Sequence, residues 1–382
     1  MEVIDLESAT AGMVSVDRAL GDLRRGDFVV IEGDRCRALI QAGEAVSAES
    51  LAALARIGNG STRLVLTARR ASALALDAGL TPRAASGVVS LPLGAVGDAE
   101  AIRGLIDPTY ARRPRLPQGL VARRETDGSC AAAAVTLSKL AQLLPAALTA
   151  TLAPDGAQPR AGSAPRRDLL RVAATAIADY ARLAAATLRP VSEARVPLEA
   201  AEDARVVGFR PTDGSAEQFA ILIGEPAAHQ PVLCRVHSEC FTGDLLGSLR
   251  CDCGPQLQAA LRLMGAAGHG VLLYLAHEGR GIGLINKLRA YQLQDKGLDT
   301  LDANQQLGFE PDERTYRAAA VMLRHLGIGR VRLLTNNPAK VEALSREGIE
   351  VVERVAHAMA PNRHNHVYLA TKARRAGHLL DG

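Results

Sequence analysis

The sequence predicts a two-domain protein of α/β and α+β construction, in which mixed sheets are covered by helices. Three observations lead there. A chain of 382 residues exceeds what one hydrophobic core ordinarily organises. Short apolar runs alternate with Ala- and Leu-rich amphipathic stretches between Gly-bounded turns, the rhythm of strands packed under helices. Near the middle, a Pro-, Gly- and Ala-rich stretch (153–165) and then Arg189-Pro190 interrupt that rhythm. The expected domains are therefore 1–186 and 187–382.

In the first domain "DFVVIEG" reads as a strand, "SAESLAALARIG" as a helix capped by Ser47, and "TRLVLTA" as a second strand. "GSCAAAAVTLSKLAQLL" reads as a helix. A long Ala/Leu helix is expected from about Arg167 to Leu188, closed by Arg189-Pro190, because proline disfavours helical geometry in the residue before it. In the second domain the strands are "PVLCRVH", "GVLLYLA", "RVRLLT" and "IEVVERV". The helices are "PQLQAALRLMGAAG", "GLINKLRAYQLQDKG", "DERTYRAAAVMLRHLG" and "NPAKVEALSREG". Functional loops in such sheets follow the carboxyl ends of strands. The chemically unusual stretches 237–240, 278–283 and 335–340 all sit there.

Composition narrows the function. With 48% hydrophobic and 23% charged residues the chain has the make-up of a soluble globular protein. The lack of Trp and the 3% aromatic share require aliphatic cores. A net charge of +4 without a long basic run argues against a nucleic-acid partner and leaves room for a local anion site. No run of 18 apolar residues occurs and the N-terminus is acidic, so neither a membrane span nor a secretory signal is expected, and the expected location is cytoplasmic.

Six cysteines carry the strongest signal. Cys240, Cys251 and Cys253 form C-x10-C-x-C. Three thiolates can hold Zn²⁺ and leave its fourth position to water, the layout of a catalytic site, and the metal then activates that water. Cys234 lies in an apolar strand pattern, and Cys36 and Cys130 stand alone. All three read as small core residues. Arg235, His237, Glu239, Arg250 and Asp252 flank the trio, and the cations among them favour thiolates. "HEGRGIG" (277–283) follows a strand and opens a helix, so its glycines let backbone amides approach an anion beside Arg280. It lacks the spacing of a dinucleotide fingerprint, and no phosphate-binding P-loop occurs. "GFEPDERTY" is expected to place Asp312 and Arg314 in the first turn of a helix, where Asp312 could serve as its cap. "TNNPAK" offers Thr335, a helix start at Pro338, and Lys340.

Together, "RVHSECFTGDLLGSLRCDCGPQLQAAL", "EGRGIGLINKLRAYQLQDKGLDTLDANQQLGFEPDER" and "LLTNNPAKVEALSREGIEVVERV" closely resemble the GTP cyclohydrolase II family, which begins riboflavin biosynthesis. The resemblance runs from about residue 190 to the end. It implies one zinc per chain on Cys240, Cys251 and Cys253. It implies GTP contacts from Arg235, Val236, His237, Ser238, Glu239, Gln256, Glu278, Gly279, Arg280, Thr300, Thr335 and Lys340, with Mg²⁺ on the triphosphate. Asp312 would be the general base and Tyr291 a tyrosine near the purine. Arg314 falls on the family's proposed nucleophile, but an arginine pKa above 12 suits a phosphate clamp better. A homodimer is also implied. Rival readings are a paralogue that stops at the formamide product and a non-catalytic zinc- and nucleotide-binding regulator. Ala276-His277 departs from the family text beside Glu278.

The first half resembles, more faintly, dihydroxybutanone-phosphate synthase, through "VDRALGDLRRGDFVVIEGD" and "VSAESLAALARIGNG". That chemistry uses an acidic cluster to hold Mg²⁺ and a G-H-T-E-A segment. Here "IEGDRCRALIQAGE" is poor in carboxylates, and the second segment reads Gly128-Ser129-Cys130-Ala131-Ala132. The expectation is a fold kept and an activity lost.

Overall fold

The computed structural model describes residues 6–57, 61–76, 86–112, 120–152, 169–226, 229–377 and 379. The expected loop at 153–165 lies outside them. Packing divides the chain into two compact units. Unit 1 is Met1–Ala181 with Ile285–Asp312, and unit 2 is Arg182–Leu284 with Glu313–Gly382.

Unit 1 is built on β1 (Val29–Gly33), β2 (Cys36–Ala42), β3 (Thr62–Thr67), β4 (Val88–Pro92), β5 (Arg123–Arg124), β6 (Ala146–Thr151) and β7 (Arg171–Ala173), in the order β5-β4-β3-β6-β2-β1-β7. Every pairing is antiparallel except β1 with β7. Leu64, Val65 and Leu66 are consecutive and wholly buried, so β3 is covered on both faces. Val65 and Val88 pack with Val135 of the helix Cys130–Leu140. Ser47 caps the helix Ala48–Ile57 as expected, its Oγ accepting from Ser50 N at 3.1 Å.

Two expectations fail here. The long helix begins later than expected. Arg171–Ala173 pairs in parallel with β1, and the helix runs only over Ala174–Ala186. Strand pairing through buried Val172 outweighs a local helical preference. Cys36 and Cys130 are not separate core thiols either. They form a disulfide between the start of β2 and the first residue of the helix Cys130–Leu140, with Cα atoms 5.9 Å apart across a sequence separation of 94. A separation of that size leaves no local trace.

Unit 2 holds a second seven-stranded sheet: β8 (Arg189–Arg195), β9 (Ala204–Arg210), β10 (Gln218–Ile223), β11 (Val232–Ser238), β12 (Gly270–Leu275), β13 (Arg330–Leu334) and β14 (Glu350–Val355). Their order is β14-β13-β11-β12-β10-β9-β8. The first four in that order run parallel and the rest join antiparallel, giving the expected mixed sheet. Edge strand β8 is solvent-exposed along its length and carries Pro190, which an edge tolerates. Alternation along β11 sorts its side chains. Val232, Cys234 and Val236 join Phe209, Leu273 and Met322 in one core, whereas Leu233 joins Met264 and Leu272 in another. Arg235 and His237 share Leu233's face, the face that packs against the helix Cys253–Ala267.

The helix expected from Asp312 starts only at Arg317, with Tyr316 as its N-cap residue. Asp312 and Arg314 thus lie in the loop before it rather than in its first turn. Among the described residues, no helix is long and apolar enough to cross a membrane.

Candidate active site

The parallel strands β11, β12 and β13 end on one side of unit 2, and the loops that follow them carry the chemistry. After β11 the chain reaches Cys240 and makes a single π-helical turn, Phe241–Leu245. Cys251 and Cys253 follow at the start of the helix Cys253–Ala267. The three Sγ atoms lie within 4.8 Å of one another, and those of Cys240 and Cys251 are 3.8 Å apart. Tetrahedral Zn²⁺ with Zn–S of about 2.3 Å sets thiolates about 3.8 Å apart, so the donor set fits that ion. Gly243 makes the approach possible. A Cβ there would stand 2.8 Å from Cys251 Sγ, 2.9 Å from Cys253 Cβ and 3.0 Å from Cys240 Sγ, and its own N–H donates to Cys240 Sγ at 3.3 Å. As thiols the trio hold one another's protons. The hydrogen bond with Cys240 comes first in pushing Cys251 up to about 11. Cys234, on the other face of β11, is pushed up to about 12 by burial and belongs to the core, as expected.

Buried polar groups fix the surroundings. Asp252 is 1% exposed. Its Oδ1 accepts from Lys372 Nζ at 2.7 Å and its Oδ2 from Gln256 Nε2 at 2.7 Å. Burial alone would raise this carboxyl, but the charge and hydrogen bond of Lys372 hold it below the usual range. Gln256 Oε1 in turn accepts from Arg235, whose other Nη donates to Leu334 O at 2.9 Å. Asp244 gathers three donors: His237 Nε2 at 3.1 Å, Tyr274 Oη at 3.0 Å and Cys240 N at 3.0 Å. His237 also stacks on Tyr274, their centroids 5.6 Å apart, and burial depresses its pKa.

The turn after β12 is a compact series of left-handed residues. Gly279, Arg280, Gly281 and Gly283 all have positive φ, and Arg280, at 64°, does so as a non-glycine. The turn closes on itself through these residues, Gly281 N and Gly283 N each donating to Glu278 O at 3.0 Å. Glu278 closes it from below, accepting from Phe241 N at 2.6 Å and Gly279 N at 2.9 Å. His277, where the sequence departs from the family text, packs edge-on against Tyr316.

A cationic pair completes the unit 2 cluster. Arg314 Nη1 donates to Ser238 Oγ at 3.0 Å, and Lys340 Nζ donates to Val236 O at 2.9 Å. Both cations lie 5.7 Å from the Tyr316 ring centroid. Thr335 is buried after β13, its Oγ1 accepting from Asn337 N at 3.1 Å.

Arg235, Val236, His237, Ser238, Glu239, Gln256, Glu278, Gly279, Arg280, Arg314, Thr335 and Lys340 all belong to unit 2, as do the three cysteines, with Gln256 and Lys340 in the first turns of helices. Tyr291, Thr300 and Asp312 belong to the segment that packs in unit 1. Sequence reasoning missed Gly243, Asp244, Tyr274, Tyr316 and Lys372. Asp244 stands four residues after the first cysteine and could have been noticed. Lys372, 120 residues from Asp252, left no signal.

Among the described residues, three thiols close enough to share one ion form a candidate metal site with three donors rather than the four of a structural centre. The sequence signature of GTP cyclohydrolase II matches residues 189–356. The chain is 51% identical to a GTP cyclohydrolase-2 of Azospirillum brasilense over 97% of its own length and 95% of that relative. It is 57% identical to a GTP cyclohydrolase-2 of Hahella chejuensis over 45% of this chain and 84% of that one. A solved two-domain 3,4-dihydroxy-2-butanone 4-phosphate synthase from A. baumannii aligns over 90% of this chain and 99% of that one, at 18% identity and a TM-score of 0.36. This chain belongs to the GTP cyclohydrolase II family and is an enzyme, a hydrolase.

Proposed function

We propose that the protein hydrolyses GTP at the guanine imidazole ring. It would release formate and pyrophosphate to give 2,5-diamino-6-ribosylamino-pyrimidinone 5'-phosphate, the first step of riboflavin biosynthesis. The observation that carries this reading is the Cys240–Cys251–Cys253 trio within reach of one ion, at the end of the strand whose Val236 and Ser238 bind Lys340 and Arg314. One zinc per chain would be held there, and when bound it would activate a water for attack on carbon 8 of guanine. Arg314 and Lys340 offer positive charge to the triphosphate, which enters with Mg²⁺. Arg235, Gln256 and Glu278 are locked by their own hydrogen bonds, so they can orient the nucleotide without reorganising. Asp312 is the proposed general base, and Tyr291 assists proton movement at the purine. The working form is proposed to be a homodimer in the cytoplasm.

The test is incubation of the full-length protein with GTP, Mg²⁺ and Zn²⁺. Formate, pyrophosphate and the diaminopyrimidine are expected in equal amounts, and a formylated nucleotide as sole product would point instead to a paralogue that stops early. Tyr291→Phe should slow formate release by tenfold or more, the usual scale of a lost acid–base group. Pyrophosphate release, at a different atom, should persist.

For unit 1 we propose a retained fold without synthase chemistry. The turn Gly33–Cys36 holds Asp34 as its one carboxylate, and Cys36 is bonded to Cys130, in the segment where a histidine and a glutamate would be needed. A lone carboxylate does not hold Mg²⁺ as a cluster does. No dihydroxybutanone phosphate should form from ribulose 5-phosphate at any Mg²⁺ concentration, and its detection by mass spectrometry would make the protein bifunctional.

A further inference from the structure

We infer that the first half of the chain acts as a positioning clamp for residues 285–312, the segment carrying Tyr291, Thr300 and Asp312. This rests on the reading of those three as site residues. The segment's two helices, Leu284–Asp295 and Thr300–Leu307, are anchored inside unit 1 by buried or half-buried polar groups of the first half.

The first helix docks through Asn286 and Arg289, one turn apart and so on one face. Asn286 is wholly buried and its Nδ2 donates to Gln142 O at 2.9 Å. Arg289 makes a two-pronged pair with Glu44, at 3.1 and 2.9 Å, and its Nε lies 3.2 Å from Asp107 Oδ2. Glu44 is itself held, accepting from Leu144 N at 2.6 Å. Such a fork fixes orientation as well as position. Two residues beyond Arg289 the helix has turned by roughly 200°, so Tyr291 stands on the opposite side from the anchors. There it pairs with Lys287, 5.9 Å from its ring centroid.

The second helix is fixed at its end. Gly308, with φ of 90°, closes it in the left-handed conformation. Its carbonyl accepts from Thr67 Oγ1 at 2.8 Å, and a Cβ on it would stand 2.8 Å from that oxygen and 3.0 Å from Pro145 Cγ. Arg70, buried beside it, donates from Nη1 to Gln306 O at 2.8 Å and from Nε to Leu105 O at 2.7 Å. Arg69 pairs with Glu310, two residues before Asp312. Glu44, Thr67, Arg70 and Asp107 are therefore positioning residues for the proposed chemistry.

The test uses full-length, zinc-loaded protein and compares Glu44→Ala, Glu44→Gln, Thr67→Val and Arg289→Ala with Tyr291→Phe. Each is assayed below its unfolding midpoint for zinc content, kcat and KM. The expected result for Glu44→Ala and Thr67→Val is at least a tenfold fall in kcat for formate release, with one zinc retained. Glu44→Gln, which can keep one hydrogen bond to Arg289, should recover part of the loss. The double variant Glu44→Ala/Arg289→Ala should be no slower than either single change. If Glu44→Ala does not fold, Glu44→Gln and Thr67→Val carry the test. Normal kcat in the folded variants, with Tyr291→Phe slow, overturns the clamp and leaves the site reading standing. Normal kcat in Tyr291→Phe overturns the site reading.

Discussion

Replacing Cys251 with serine is expected to strip the metal and abolish ring opening. A neutral hydroxyl is a far poorer ligand for zinc than a thiolate, and the change leaves only Cys240 and Cys253 of the three grouped thiols. Elemental analysis of the purified variant should find well under a tenth of the wild-type zinc, and formate should fall to background. Cys234→Ser is the matching control. That thiol lies on the opposite face of β11 and its proton is held by burial, so the variant should keep its zinc while losing some stability. Full zinc in Cys251→Ser, or none in Cys234→Ser, would mean that the wrong thiols have been assigned. Gly243→Ala should behave like the ligand variant, because its new methyl would press on all three cysteines.

The second large effect is expected at Lys372. Its Nζ sits 2.7 Å from Asp252 Oδ1, and Asp252, between Cys251 and Cys253 in the chain, is almost fully buried. Lys372→Met keeps most of the side-chain bulk but leaves a buried carboxylate without its ammonium partner, with Gln256, a backbone N–H and the charge of Arg235 remaining. Removing one partner of a buried pair costs about 3–5 kcal/mol, since the surviving charge keeps its desolvation penalty. Urea unfolding should show a loss of that size, with zinc affinity lowered because the strained carboxylate sits beside Cys251 and Cys253. Asp252→Asn/Lys372→Met removes both charges and should recover much of the stability. A single variant as stable as the wild type would show that the pair is open to water in solution.

Much of the site was legible before the fold was known. C-x10-C-x-C and its charged flanks pointed to a three-thiolate metal site, and the structure brings those sulfurs together. The period-2 pattern of "PVLCRVH" separated Cys234 from the trio, because a strand sends neighbouring side chains to opposite faces. The three glycines of "HEGRGIG", read in the sequence as a turn that lets the backbone approach an anion, all have positive φ. These features are local, encoded within a dozen residues, so sequence order alone exposes them. Where the reading failed, a contact distant in sequence had outweighed a local preference. Residues 171–173 looked helical but found a partner in β1, and residues 312–316 looked like a helix start but remain a loop.

By itself, then, the sequence determined the cysteine trio, the mixed sheets and the family to which those motifs belong. Only the tertiary structure decided that Cys36 meets Cys130, that Lys372 neutralises Asp252, and that residues 285–312 pack with the first half of the chain rather than the second. The physical reason is common to all three. Each depends on groups about a hundred or more residues apart, whose encounter is set by how whole elements bury their apolar faces. No periodicity or spacing in the chain records it.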